Sequence, residues 1–521
     1  INITFMESHP DPRMAHTKPA TIRLSSQDNV VVALRDISVG TPIDGGLICR
    51  DSIPDGHKVA TRKIAQNEPI RKYGHLIGFA SRTIHPGEHV HTHNVEMRDF
   101  ARDYAFSVQA QPMEHVPESK QVTFDGIVRA DGRVATRNYV GILSTVNCSA
   151  SVARFIAQQF SHGVLAQYPN IDGLVALTHG TGCDMTPGGE GFLFLERTLT
   201  GYAKHPNFAG VLLVGLGCEV DHVNRLMADM HLEAGPLLTT LNIQEAGGTK
   251  EAVRKGVEAI YSMLPQANRI ERRPLSASHI ILGLECGGSD AYSGISANPA
   301  LGKAVDLLVR HGGTAILSET PEIYGAEHLL TTRSVSPEIG QKLVERVLWW
   351  EKYTASLGAK MNDNPSPGNK AGGLTTILEK SLGAVAKAGS SNLVDVYGYA
   401  ETVTAKGLVF MDTPGYDPVS ITGMVAGGAN LICFTTGRGS VCGFKPAPTL
   451  KLASNTAMYR RMSEDMDINC GVVADGEANM DEMGELIFHL ILETASGRRT
   501  KSELLGHGDN EFVPWSIGAV M

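Results

Sequence analysis

Four apolar runs in this 521-residue chain end in cysteine: GlyIleLeuSerThrValAsnCys148, LeuValAlaLeuThrHisGlyThrGlyCys183, ValLeuLeuValGlyLeuGlyCys218 and IleIleLeuGlyLeuGluCys286. Thiolates ligate iron, zinc and iron–sulfur clusters. The plainer alternative makes each one a small buried hydrophobe. Cys49, Cys433, Cys442 and Cys470 have weaker cases, and Cys433 reads as core. A second group is GluHisValHisThrHisAsn, with His89, His91 and His93. On a strand, alternate residues share a face. Three imidazoles would then face a metal or an anion, or water on an edge strand.

Two glycine-rich turns follow apolar runs, GluCysGlyGlySerAsp290 and PheThrThrGlyArgGlySer440. Their N–H groups suit a carboxylate or phosphate, and Arg438 adds a planar fork of donors. Neither has the Walker spacing. AsnProSerProGlyAsnLysAlaGlyGly373 is a rigid loop that offers Asn369 and Lys370, with a purely structural turn as its alternative.

These groups need elements to hold them. If the apolar runs are strands of an open α/β sheet, their carboxyl ends are where ligands bind, and the cysteines stand there. From Asp125 the pattern alternates strand and helix: Tyr139–Val146, Gly173–Thr178 and Gly210–Gly215 read as strands, and Ala150–Phe160 and Glu190–Ala203 as helices. A charged break at Asn268–Pro274 precedes a second α/β region with strands at His279–Leu284, Gly313–Leu317, Asn392–Val396, Gly407–Met411 and Asn430–Phe434. Ahead of both, short β-rich runs at Asn29–Leu34, Lys58–Ile64 and Leu76–Ala80 make a small all-β unit. The division is a disordered leader (1–19), a β domain (20–97), a linker (98–124), a middle α/β domain (125–268) and a C-terminal domain (275–521) with a mostly parallel sheet.

Bulk numbers exclude several classes. The net charge of -9 and pI near 6.1 give no basic patch for nucleic acid. No apolar run is long enough for a membrane span, and the start lacks a signal-like stretch, with Met6 and Met14 as candidate first residues. Eight dispersed cysteines fit reduced thiols in the cytoplasm.

Taken with AspGlyHisLys58, AlaAsnPro299 and GlyLeuGlyCysGlu219, the quoted motifs resemble the altronate/galactarate dehydratase family from about Thr21 to the C-terminus. HisValHisThrHisAsn94 looks more like the altronate branch. ThrGlyCys183 and Val441-Cys442 stand where relatives often carry Tyr-Gly-Cys and Pro-Tyr. The resemblance implies a β-clip domain of the SAF type, then a middle domain, then a Rossmann-like domain with an unusual crossover. It implies an iron-dependent hydro-lyase, favoured by reducing conditions and dimeric, that takes a sugar acid to a 2-keto-3-deoxy acid. On that footing Lys370 and His179 are the acid and base, in either order. Arg438, Asn369, Ser289, Asp290, Arg137, His57 and Lys58 contact substrate. Cys148, Cys183, Cys218, Cys286, His91 and His93 hold iron, as Fe²⁺ first or a [4Fe–4S] cluster second. The rivals are a sulfolactate-type C–S lyase, a non-enzymatic sugar-acid-binding protein and a nucleotide-dependent enzyme.

Overall fold

The computed structural model describes residues 19–517 apart from 103, 161–162, 184, 187, 219–225 and 229–232. The expected leader lies outside them except for its last residue. The small domain is built from short antiparallel strands: β1 (Thr21–Ile22), β2 (Val30–Ala33), β3 (Lys58–Ala60), β4 (Pro69–Lys72), β5 (His75–Ala80), β6 (His89–Val90) and β7 (Val95–Glu96). They form two sheets, β1-β2-β3-β6 and β4-β5-β7, with a separate hairpin of Pro42–Ile43 and Leu47–Ile48 between β2 and β3. Val31, Ala33, Ile37, Ile53 and Val59 fill one part of its core. Every strand is too short to be stable alone, so the domain leans on its neighbour.

The expected linker is not free. The described residues of 98–121 carry only a short 3₁₀ turn at Glu118–Lys120. They run over the C-terminal domain, with the N–H groups of Ser107, Gln109 and Val116 donating to Thr331, Thr332 and Arg310 carbonyls. β8 (Thr123–Val128) then enters the middle domain. Its parallel sheet is β9 (Tyr139–Ser144), β10 (Gly173–Leu177), β11 (Phe208–Gly215) and β12 (Leu238–Asn242), ordered β10-β9-β11-β12. Helix α1 (Ala150–Gln158) joins β9 to β10, α2 (Glu190–Ala203) joins β10 to β11, and α3 (Thr249–Ala267) follows β12. The chain leaves through β13 (Arg272–Ser276), which pairs antiparallel with β8. The charged break is therefore partly strand. Arg272 makes it so by clamping the carbonyls of Asp125, Thr136 and Ala495.

The C-terminal domain is a seven-stranded parallel sheet. Its strands are β14 (Ile281–Cys286), β15 (Thr314–Leu317), β16 (Leu393–Tyr397), β17 (Gly407–Met411), β18 (Leu431–Thr436), β19 (Thr449–Ala453) and β20 (Ile468–Asn469). The order is β16-β17-β15-β14-β18-β19-β20. The helices include α4 (Ala297–Arg310), α5 (Pro337–Ser356), α6 (Ile377–Val385), α7 (Asp417–Ala426) and α8 (Met480–Ala495). The sequence reading missed β19 and β20. All five strands it expected are present, because near-continuous apolar runs mark a sheet covered on both faces.

β14 has β15 on one side and β18 on the other, so the strand order reverses there and a crevice opens at their carboxyl ends. α2 packs along α7, with Gly201 close enough to the Ala426 carbonyl that any side chain would collide. Glu190, at the start of α2, acts electrostatically on Asp412 just past β17. The carboxyl ends of the middle and C-terminal sheets therefore open on the same side.

Candidate active site

The crevice is walled by two turns. The Gly287–Asp290 turn leaves β14 and the Gly437–Gly439 turn leaves β18, and the N–H groups of Gly437 and Arg438 both donate to the Gly288 carbonyl, at 3.2 and 2.9 Å. Asp290 locks them together. Its carboxylate accepts from the Ser293 N–H (2.8 Å), Ser293 Oγ (2.9 Å), Ser454 Oγ (2.8 Å) and Asn455 Nδ2 (3.0 Å). With both oxygens used, Asp290 is a brace and not the substrate contact expected. Asn369 is likewise a brace: Oδ1 caps the Ser366 N–H and Nδ2 donates to the Ser289 carbonyl at 2.8 Å. Ser289 itself is 4% exposed, and its Oγ is buried with no partner. Arg438 is exposed, its stem lying beside Gly372, and Lys370 is half-buried two residues earlier. Ser289 and Arg438 thus line one crevice, with Lys370 on the loop beside it.

The small domain closes over this loop. His57 Nε2 lies 3.3 Å from the Ala371 carbonyl, and its Nδ1 lies 3.0 Å from His89 Nε2. His57, His89 and His91 bring ligand nitrogens within 4.8 Å of one another, and His91 Nδ1 is buried without a partner. Burial drops His89 to about 4 and His91 to about 3, and it lowers His57 as well, so the set is neutral at pH 7. The expected three-histidine strand face is corrected here. β6 ends at Val90 and the chain turns, pinned by Asn94 donating to the His89 carbonyl and accepting from the His91 N–H. His93 is left exposed, 5.3 Å from His89 by ring centroid, and His57 takes its place in the set. Lys58 is not free for substrate. Its Nζ donates to the Gly373 carbonyl (2.6 Å) and to both Glu379 oxygens (3.0 and 2.9 Å). Lys72 reaches the same carboxylate at 2.9 Å. Burial pushes Lys58 down to about 8. It pulls Glu379 upward, yet the two lysines outweigh it and hold Glu379 far below its usual range.

Beneath the crevice lies a buried acidic group that the sequence reading did not find. Glu285, Glu319 and Asp417 form one set within 4.8 Å, and Cys286, Glu319 and Glu322 another. Both oxygens of Glu285 and Oε1 of Glu319 have no partner. Burial raises Glu285 strongly, Glu319 to about 7 and Asp417 to about 6. Lys380 pairs with Glu322 at 2.7 Å and Lys387 with Glu319 at 3.5 Å. Cys286 belongs here, 3.8 Å from both Glu319 and Glu322 oxygens, its thiol pushed by burial to about 12. It does not join the other three cysteines. The only sequence signal was a glutamate ending an apolar run at LeuGluCys286.

Cys148, Cys183 and Cys218 are exposed at the carboxyl ends of β9, β10 and β11. Two expectations in this region fail. His179 is 7% exposed, with Nε2 on the Ser144 carbonyl (3.0 Å) and Nδ1 on Thr181 Oγ1 (3.1 Å), and burial lowers it to about 4. Both nitrogens are spent on its own domain, so it is no acid or base. Arg137 is fully buried and spends its donors on Glu503 and the carbonyls of Thr136, Thr494 and Arg498. It ties the middle domain to the C-terminal one and touches no crevice.

Comparison with known proteins agrees with this organisation. Residues 19–98 match the Altronate/galactarate dehydratase SAF domain. Residues 126–268 match the D-galactarate dehydratase/Altronate hydrolase second domain, and 277–520 the D-galactarate/Altronate dehydratase C-terminal domain. The chain is 37% identical to galactarate dehydratase (L-threo-forming) of Escherichia coli (strain K12), over 92% of this chain and 93% of that one. It is 34% identical to altronate dehydratase of Bacillus subtilis (strain 168), over 95% and 98%. It is 33% identical to the beta subunit of (2R)-sulfolactate sulfo-lyase of Chromohalobacter salexigens, over 76% of this chain and 98% of that one. Identity does not favour the altronate branch. The chain belongs to the altronate/galactarate dehydratase family of hydro-lyases.

Proposed function

We propose that the protein dehydrates a sugar acid, an aldonate or aldarate with hydroxyls at C2 and C3, to a 2-keto-3-deoxy acid. The observation that supports this reading is the approach of Arg438 to Gly372 beside the unpartnered Ser289 Oγ at the switch-point crevice, with His57 of the small domain against the next residue of the Lys370 loop, Ala371. Arg438 receives the substrate carboxylate as a planar fork. Ser289 Oγ, otherwise unsatisfied, gains a partner from a substrate hydroxyl. The imidazoles, held neutral by burial, take the α proton, and Lys370 gives one to the leaving hydroxyl. The developing enediolate is dianionic, so fixed positive charge must meet it.

Iron, when bound, supplies that charge as a Lewis acid. The middle-domain thiols are chemically matched to it, being soft ligands exposed at strand ends on the side where the crevice opens. Such exposed thiols suit a reducing compartment.

The test is a panel of aldonates, aldarates and sulfolactate, assayed anaerobically with Fe²⁺ for 2-keto acid and for sulfite. At least one sugar acid should give 2-keto acid. Sulfite from sulfolactate with no 2-keto acid from any sugar acid overturns the reading in favour of C–S cleavage.

A further inference from the structure

We infer that the cavity where the small domain, the 98–121 segment and the C-terminal domain meet is a second binding site, for a small monocarboxylate that carries a hydroxyl. None of its lining residues belongs to the switch-point crevice, and its occupant pins the small domain in place.

The cavity holds about 270 Å³ and draws on all three parts. Arg71 and His75 come from the β4-β5 hairpin, Phe100 and Arg102 from the segment, and Glu327 and His328 from the C-terminal domain. Small-molecule sites favour such junctions, and drug-sized ligands take roughly 300–1,000 Å³. This one therefore suits a small metabolite.

The inner end lacks a donor. Glu327 is 1% exposed, and its Oε1 accepts from the Tyr104 hydroxyl at 2.7 Å, while Oε2 is buried with no partner. An unpaired buried carboxylate oxygen is costly, and a ligand that supplies a donor removes the cost. Charge there is already balanced. Arg102 pairs with Glu351, lies 3.7 Å from Glu327 Oε1 and stacks over the rings of Phe100 and Tyr324. Glu327 thus needs a neutral donor, a hydroxyl and not an ammonium.

The outer end is cationic. Arg71 is exposed and offers a planar fork matched to a carboxylate. His75 and His328 lie beside it, with ring centroids 5.3 Å apart. Burial lowers both, and the His328 ring and Arg71 lower His75 further, so both are neutral at pH 7. They bond an occupant without adding charge. An anion at the exposed end and a hydroxyl at the buried end describe a hydroxy acid.

The site abuts the charged joint. Side chains alternate along a strand, so Lys72 turns inward to Glu379 while Arg71 faces the cavity. Lys72 pairs with His75 across the hairpin, and Leu378, on the cavity wall, precedes Glu379 on α6. An occupant that grips Arg71 and Glu327 at once opposes the lifting of the small domain from the Lys370 loop, because whatever binds only the docked form stabilises it.

The test uses full-length protein carrying Arg438→Ala, which weakens binding at the crevice, titrated with D-gluconate by calorimetry. One equivalent should bind and should slow tryptic cutting of the 98–121 segment. Propionate, which lacks the hydroxyl, and glucose, which lacks the carboxylate, should bind roughly tenfold more weakly or worse. Added Arg71→Ala, at an exposed position, should leave melting unchanged, yet weaken gluconate by a similar factor and abolish the protection; Arg71→Lys should recover part of both. D-Glycerate beside gluconate tells a short hydroxy acid from a sugar acid as the occupant, and Arg71-dependent binding of either upholds the site. Binding and protection that ignore Arg71→Ala, or no binding at millimolar gluconate and glycerate, overturn the inference and leave a hydrated gap. Binding is read without turnover, so the result holds whether or not the protein dehydrates any sugar acid.

Discussion

The C-terminal domain is joined to its two neighbours in different ways. Against the small domain a shared apolar core, including Ile77, Val90, Ile295 and Leu382, encloses a charged cluster: Lys58 and Lys72 converge on Glu379, all with side chains no more than 1% exposed, and Tyr292 donates to Asp55. Against the middle domain a second shared apolar core, including Phe194, Tyr202, Tyr399, Met424, Phe512 and Trp515, is tied at its edge by the Arg137–Glu503 pair. Apolar burial is non-directional and supplies stability. Buried charges add little net stability but are satisfied in one arrangement only. The three-residue charge cluster thus registers the small domain on the loop that carries Lys370, while the middle domain is glued chiefly by its apolar face.

The largest expected effect breaks the charged joint. Glu379→Gln leaves two buried ammonium groups facing one neutral amide, a loss of about 3–5 kcal/mol. Melting should fall and protease should cut the 98–121 segment as the small domain lifts. Wild-type melting with no new cleavage would show that charge does not set this joint.

The glued joint has one acid-sensitive point. His205 is fully buried, accepts from the Asn207 N–H at Nδ1 and donates from Nε2 to the Ala429 carbonyl at 3.0 Å. Burial holds it at about 4, against 6.5 ordinarily. The folded state binds fewer protons than the unfolded one between those values. Its contribution is therefore complete above pH 6.5 and lost as pH falls toward 4, by about 3 kcal/mol. His205→Gln should flatten the melting curve against pH across that window; an unchanged slope assigns the acid sensitivity elsewhere.

The smallest effect leaves both joints alone. Arg438→Lys should keep wild-type melting, because Arg438 is exposed, yet lose roughly tenfold or more in kcat/KM, about 1.4 kcal/mol, since a point charge cannot match a planar fork. Near-normal turnover removes Arg438 from carboxylate binding. His179→Asn marks the contrast: melting drops while kcat of the folded fraction holds.

What could be read from sequence follows from what is local. α2 runs over Glu190–Ala203 as its apolar period requires, and strand ends place the cysteines. Glu285, Glu319, Glu322 and Asp417 meet only through the crossover order of the sheet, which no spacing encodes. Arg137 and His179 were misread because donor-rich side chains look alike in sequence whether they grip a ligand or a carbonyl. The packed course of 98–121 was hidden for a similar reason: its bonds are backbone to backbone, and composition says nothing of them.

β8 and β13 hold one more lesson. They pair with each other, Thr123 beside Ser276 and Ile127 beside Arg272, so the chain departs for the middle domain and returns at the same spot. That domain is thus a closed excursion of the chain, clasped at its two ends and packed through α2 on the C-terminal domain. Its length is nearly free of consequence elsewhere, since extending a closed excursion costs only logarithmically. Insertions away from that shared core can thus lengthen the lobe at little cost, and a protein engineer who grafts a relative's lobe at the clasp must carry over the α2 face that packs on the C-terminal domain.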